Sequence, residues 1–322
     1  MPEENAPGTA PTELAVSVSG FRMDFGDRTV IDDLTFAVRR GETFGFLGSN
    51  GSGKTTTIRA LLGIYQATAG TLHINGRPFT PEQGHRLGYL PEERGLYKKE
   101  PVLEVMNYFG QLKGLPRAAA KTWSLDYLER VGLADKAKTR LDKLSGGQQQ
   151  KVQLGVTIMS NPELLILDEP AKGFDPVNRR LLMEIIDEQK RAGATVILVT
   201  HQMDEVEQLC DRILLLKDGK AEAYGTVADV QARYGSRTAT LVYSGTLPED
   251  LACTPLQISP AGADGECTAH LALADGTDNA DLLSRLVRAG LRVSSFTTSR
   301  TSLEDIFLHV YGAASPTLEG AL

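Results

Sequence analysis

No lysine occurs beyond position 220 of this 322-residue chain, and it has only three cysteines and one tryptophan. Cys210, Cys253 and Cys267 are scattered and odd in number, so they form neither a disulfide framework nor a metal-ligand spacing. Reduced thiols in a cytoplasmic protein fit that usage. Nowhere does an apolar run approach the roughly 18 residues of a membrane span. The opening stretch MPEENAPGTAPTE lacks the charged-then-apolar order of a leader and reads as a disordered tail over residues 1–13. Excess positive charge is also missing: the net charge is −7, which argues against nucleic acid as the main partner. An apolar fraction of 41% with 23% charged residues predicts a packed core, and the length allows one large domain and one smaller one.

Short strands are expected from Leu14 to Gly48, in LAVSVSGF and LTFAVRRGETFGFLG. Asn75-Gly76 and Asp218-Gly219 are two-residue hairpin signals. Helical periodicity runs from Pro101 to Val156. Two near-continuous apolar strands follow, ELLILDE (163–169) and TVILVTH (195–201), with a helical pattern between them. That order predicts buried parallel strands joined by a crossover helix. The loss of lysine places a domain boundary near Gly235, giving a first domain over 14–235 and a small α+β domain over 236–312. Residues 313–322 read as a flexible tail.

The chemistry concentrates in four segments. FLGSNGSGKTTT (46–57) carries Gly-x4-Gly-Lys-Thr at Gly48, Gly53, Lys54 and Thr55, after a strand and before a helix. Such a loop, Gly48-Ser49-Asn50-Gly51-Ser52-Gly53-Lys54-Thr55-Thr56, turns backbone amides onto phosphate oxygens. Lys54 neutralises the β- and γ-phosphates and Thr55 is placed for Mg²⁺. Asp168 ends an apolar strand where it can hold the metal through water, and Glu169 beside it is the candidate to polarise the attacking water. His201 ends the next strand, on the edge where open α/β sheets bind ligands, and reads as a γ-phosphate sensor. The fourth segment, LSGGQQQKVQ (144–153), opens a helix on Ser145, Gly146, Gly147 and Gln148. An N-capping serine, bare glycine amides and the helix dipole make a second anion site.

P-loop, LSGGQ, LLILDEP and VTH, in that order, resemble the ATP-binding cassette (ABC) family of ATPases over Leu14 to Gly235. The resemblance implies the α/β P-loop cassette fold: a parallel core sheet, an antiparallel β-subdomain and a helical subdomain. It implies ATP and Mg²⁺ as ligands and a head-to-tail dimer, in which Ser145–Gln148 of one cassette close on the other's ATP. It also implies a separate transmembrane permease, docked on the helical segment near Glu92. Phe25 then falls at the adenine-stacking aromatic and Asp175 at the loop that communicates between the two sites. Two positions depart from the family's usual pattern: Glu92 stands where many cassettes have Gln, as a further Mg²⁺ contact, and Lys172 precedes Gly173 where Ser is frequent. LPEERGLY looks like the branch that works with ABC-2-type permeases, which implies export by a subunit peripheral to the inner face of the membrane. Residues 235–312 resemble the accessory domain that follows the cassette there. A soluble ABC ATPase in translation or DNA maintenance is the alternative, set against the acidic charge and the single uninterrupted cassette.

Overall fold

Along β1 (Leu14–Phe25) buried and less buried residues alternate, whereas β3 (Thr43–Leu47), β6 (Leu164–Asp168) and β7 (Thr195–Val199) are buried at every position. Alternation marks a sheet with one covered face and continuous burial marks a sheet covered on both. The computed structural model has this division. It describes residues 13–93, 95–234, 237–248, 253–259, 266–273, 277–299 and 302–311. β1 lies between β2 (Arg28–Arg39) and β4 (Ala69–Ile74) in an antiparallel sheet. A six-stranded sheet takes the order β5-β6-β7-β3-β8-β9, with β5 (Leu87–Leu90), β8 (Arg212–Lys217) and β9 (Lys220–Thr226). From β5 to β8 its neighbours run parallel. One apolar core joins the two sheets, with Phe36 stacked 5.8 Å from Phe44.

Helices α1 (Lys54–Leu61) and α5 (Pro176–Arg191) leave the ends of β3 and β6, and α6 (Met203–Leu209) follows β7. A helical arm comprises α2 (Val102–Leu112), α3 (Arg117–Arg130) and α4 (Gly146–Ile158), which contact one another. Glycine permits that close approach: a Cβ on Gly155 of α4 would lie 2.4 Å from the Tyr127 ring of α3. Among the described residues no helix is long and apolar enough to cross a membrane.

The chain divides into two compact units between Gly225 and Thr226, ten residues before the boundary expected at 235. The reason is α7 (Val227–Tyr234), which contacts α9 (Leu303–Tyr311) in the second unit. That unit also holds an antiparallel sheet, β11-β12-β10-β13, with β10 (Arg237–Ser244), β11 (Cys253–Ser259), β12 (Cys267–Leu273) and β13 (Arg292–Ser299). α8 (Asn279–Arg288) buries Leu282 and Leu286 in a separate core with Leu241 and Leu271. Both expected two-residue turns form, with positive φ at Asn75, Gly76, Asp218 and Gly219. Only the second joins two strands; the first closes a single bridge between Ile74 and Arg77. The tails expected at 1–13 and 313–322 lie outside the described residues apart from Glu13.

Candidate functional site

Parallel register gathers the predicted groups at one sheet edge: Phe46 pairs with Val199, and Val199 with Asp168. The loop after β3 follows directly, with left-handed or otherwise positive φ at Gly48, Gly51 and Gly53. A Cβ at Gly48 would lie 2.6 Å from the Leu216 carbonyl, and one at Gly53 would lie 2.3 Å from Ile31 Cδ1. Side chains there would run into the buried residues packed behind the loop, which is why both positions are glycine. Lys54 is buried, and its ammonium donates to the carbonyls of Gly48 at 2.7 Å and Ser49 at 3.0 Å. Burial lowers its pKa, against the pull of Glu169, Asp168 and Glu92.

Asp168 is 2% exposed, and its Oδ2 has no hydrogen-bond partner among the described residues. Desolvation raises its pKa to about 6, with Glu92 and Glu169 adding to the shift. Glu169 adopts φ 49°, a left-handed conformation that is uncommon outside glycine, and its amide donates to the Val199 carbonyl at 2.8 Å. The twist aims its carboxylate at His201, whose Nδ1 lies 2.7 Å from Glu169 Oε1. A carboxylate partner fixes the proton on Nδ1 and leaves Nε2 free to face a ligand.

A cleft of about 840 Å³ opens over these groups. From the P-loop it is lined by Gly48, Ser49, Asn50, Gly51, Gly53, Lys54, Thr55 and Thr56, and from the strand ends by Asp168, Glu169 and His201. Glu92 also lines it, its Oε1 accepting from Lys172 Nζ at 2.6 Å. Ser52 does not; it is buried beneath the loop. Phe25 stands outside the lining, 47% exposed and edge-on to Tyr65 at 5.5 Å. Arg28, Val30, Lys172, Gly173 and Gln202 complete the lining; no motif marks Arg28, Val30 or Gln202.

The helix start expected to be a second anion site is a capping box: Gln148 N donates to Ser145 Oγ at 3.3 Å, and Ser145 N to Gln148 Oε1 at 2.9 Å. None of Ser145, Gly146, Gly147, Gln148 or Asp175 lines the cleft of their own chain. Asp175 instead caps α5, accepting from Asn178 N at 2.8 Å. Among the described residues no cluster of three or more His, Cys, Asp or Glu forms a metal cage. A hard cation held partly by phosphates needs fewer protein ligands, and the orphaned Asp168 oxygen beside the cradle suits one.

A parallel sheet that gathers these groups at one edge has the fold of a P-loop nucleoside triphosphatase. Comparison with known proteins narrows the class. The ABC transporter family matches residues 31–172, and the family described as ATP-binding protein DrrA1-3-like, C-terminal domain, matches 225–311. The chain is 45% identical to the ABC transporter ATP-binding protein MJ1023 of Methanocaldococcus jannaschii, over 67% of this chain and 79% of that one. With Nod factor export ATP-binding protein I of Ralstonia nicotianae it shares 32% identity over 95% and 96% of the two chains. A solved ATP-binding subunit of an ABC transporter superposes with a TM-score of 0.64 at 30% identity, covering 68% of this chain and 93% of that one. The chain belongs to the ATP-binding subunits of ABC transporters, ATPases that drive transport.

Proposed function

We propose that this chain powers export through a separate ABC-2-type permease, as one half of a pair of cassettes that close head to tail on ATP. One observation carries the pairing: the capped helix start at Ser145–Gln148 is built for an anion yet lines no part of its own chain's cleft. A second copy supplies the missing phosphate. The export direction rests on the likeness to the Nod factor export protein. With no described helix able to cross a membrane, the subunit reaches the membrane through that permease.

In this reading the P-loop amides from Gly48 to Thr56 wrap the phosphates, and Lys54 leaves its carbonyl partners to neutralise the β- and γ-oxygens. Phe25, exposed at the end of β1, takes the adenine. Thr55, Asp168 and Glu92 would hold Mg²⁺, Asp168 through water, and a bound ion would supply neutralisation of the charge that develops on the phosphate oxygens. Glu169 accepts the proton of the attacking water, held in line by His201, whose free Nε2 faces the γ-phosphate. Asp175, through the loop it caps, carries the state of one site to the other. Hydrolysis removes the bridge between the two copies, and the population returns to the open pair.

Glu169→Gln tests the arrangement: it should bind Mg-ATP, hydrolyse at least about 100-fold more slowly and accumulate as a dimer in light scattering. Only monomer under those conditions would sink the head-to-tail reading. Ser145→Arg should abolish turnover while leaving the monomer's nucleotide affinity intact; a large loss of that affinity would mean the helix start acts on its own chain's ligand.

A further inference from the structure

Three carboxylates, Glu92, Asp168 and Glu169, line the cleft, and a triphosphate adds several more negative charges. Lys54 answers part of that charge from below. A second ammonium lines the same cleft: Lys172 Nζ meets Glu92 Oε1 at 2.6 Å, across 80 residues of sequence. Both members are placed by backbone bonds. Lys172 N donates to the Glu169 carbonyl at 3.1 Å, and Phe174 N closes the same turn on the Ala171 carbonyl at 2.9 Å. On the other side, Gln153 Nε2 holds the carbonyls of Pro91 and Glu93, at 3.3 and 3.4 Å, on either side of Glu92. Gln153 itself is buried, so the segment that carries Glu92 is anchored to α4.

We propose that Lys172 is a positioning residue for ATP, neutralising Glu92 at the wall of the cleft so that the triphosphate does not meet a bare carboxylate there. The proposal deepens the ATP-site reading above and rests on it. The pair also explains why two unusual residues occur together: a carboxylate beside Asp168 and Glu169 is tolerable where an ammonium is delivered to it, and the turn after Glu169 delivers one. Because both side chains are roughly half exposed, the pair adds little to the stability of the fold, and variants at either position should remain folded.

The test is a titration of the full-length protein with a fluorescent ATP analogue, in EDTA and again in Mg²⁺. Lys172→Ser should weaken binding about tenfold in EDTA, the size expected for one uncompensated charge a few ångströms from the phosphates. Glu92→Gln in that background should restore wild-type affinity, and the single variant's deficit should shrink as salt is raised. If Lys172→Ser binds as tightly as wild type, the neutralising role is wrong. If the double variant stays as weak as Lys172→Ser, Lys172 touches the phosphates itself and the proposal falls. A wild-type protein that fails to bind the analogue would instead overturn the ATP-site reading on which the proposal stands.

Discussion

Burial holds the Asp168 carboxyl near pKa 6, and its neighbours Glu92 and Glu169 push the same way. The unfolded chain titrates such a group near 4, so between those values the folded protein binds more protons than the unfolded one. The sign follows: the contribution is fully present below about pH 4 and is lost as the pH rises through about 6. Above that, the ionised carboxylate costs the fold on the order of 2–3 kcal/mol, a cost that a cation and a nucleotide offset when they bind. Asp168→Asn should therefore exceed wild type in stability by up to about that amount near pH 8, with the gap closing toward pH 4, while ATP hydrolysis is lost. Urea unfolding at the two pH values checks it; a gap that does not change with pH would place the cost elsewhere. Lys54→Ala has a simpler expectation, because it removes the buried ammonium at the base of the phosphate loop. Turnover should disappear, and wild-type phosphate release by that variant would remove Lys54 from the mechanism.

At the scale of elements, α4 combines two demands, since its first turn closes the capping box on Ser145 and its middle must pass close to α3. Ala in place of Gly155 should favour the helix by about 1 kcal/mol on propensity alone. Packing argues the other way. The added Cβ would sit 2.4 Å from the Tyr127 ring, which is buried, stacked on Trp123 at 5.1 Å and tied through its hydroxyl to the Lys151 carbonyl at 2.8 Å. Overpacking of that kind costs about 1–3 kcal/mol, so Gly155→Ala should lower stability despite its better propensity. Urea unfolding decides the sign, and shortening Tyr127 to Leu in the same chain should recover part of the loss. Elements of this sort divide by how local their signal is. The P-loop, the Asp168-Glu169 strand end and the Ser145 cap are written within a dozen residues each, and sequence reading located all three. β5 is only four residues long and is followed by Pro91, too short for a periodic signal. β11 contains Pro255, which argues against a strand, but it is an edge strand with an irregular register at that residue, where proline is tolerated. The pairing of Glu92 with Lys172 spans 80 residues and had no sequence signature; each residue stood out alone as a departure from the family pattern.

At the scale of the whole molecule, each compact unit has an apolar core of its own among the described residues. The first, from Val16 to Leu216, includes the sheet that carries the cleft; the second, from Ala239 to Leu291, shares no residue with it. The two units divide between Gly225 and Thr226, shortly after the last lysine, and the division follows α7, a short helix that contacts α9. Separate cores imply separate melting transitions, and a ligand stabilises only the unit that binds it. Calorimetry of the full chain should show two transitions, and Mg-ATP on the Glu169→Gln background should raise one of them alone. At a nucleotide concentration about 100 times the dissociation constant, the stabilisation expected is about 2.7 kcal/mol. A fragment ending at Gly225 should reproduce the shifted transition and keep nucleotide binding, since every residue lining the cleft precedes that point. If ATP instead moved both transitions together, the second unit would be sensing the nucleotide. The DrrA-like C-terminal domain would then act in the ATP cycle itself and would be more than an independently folded appendage.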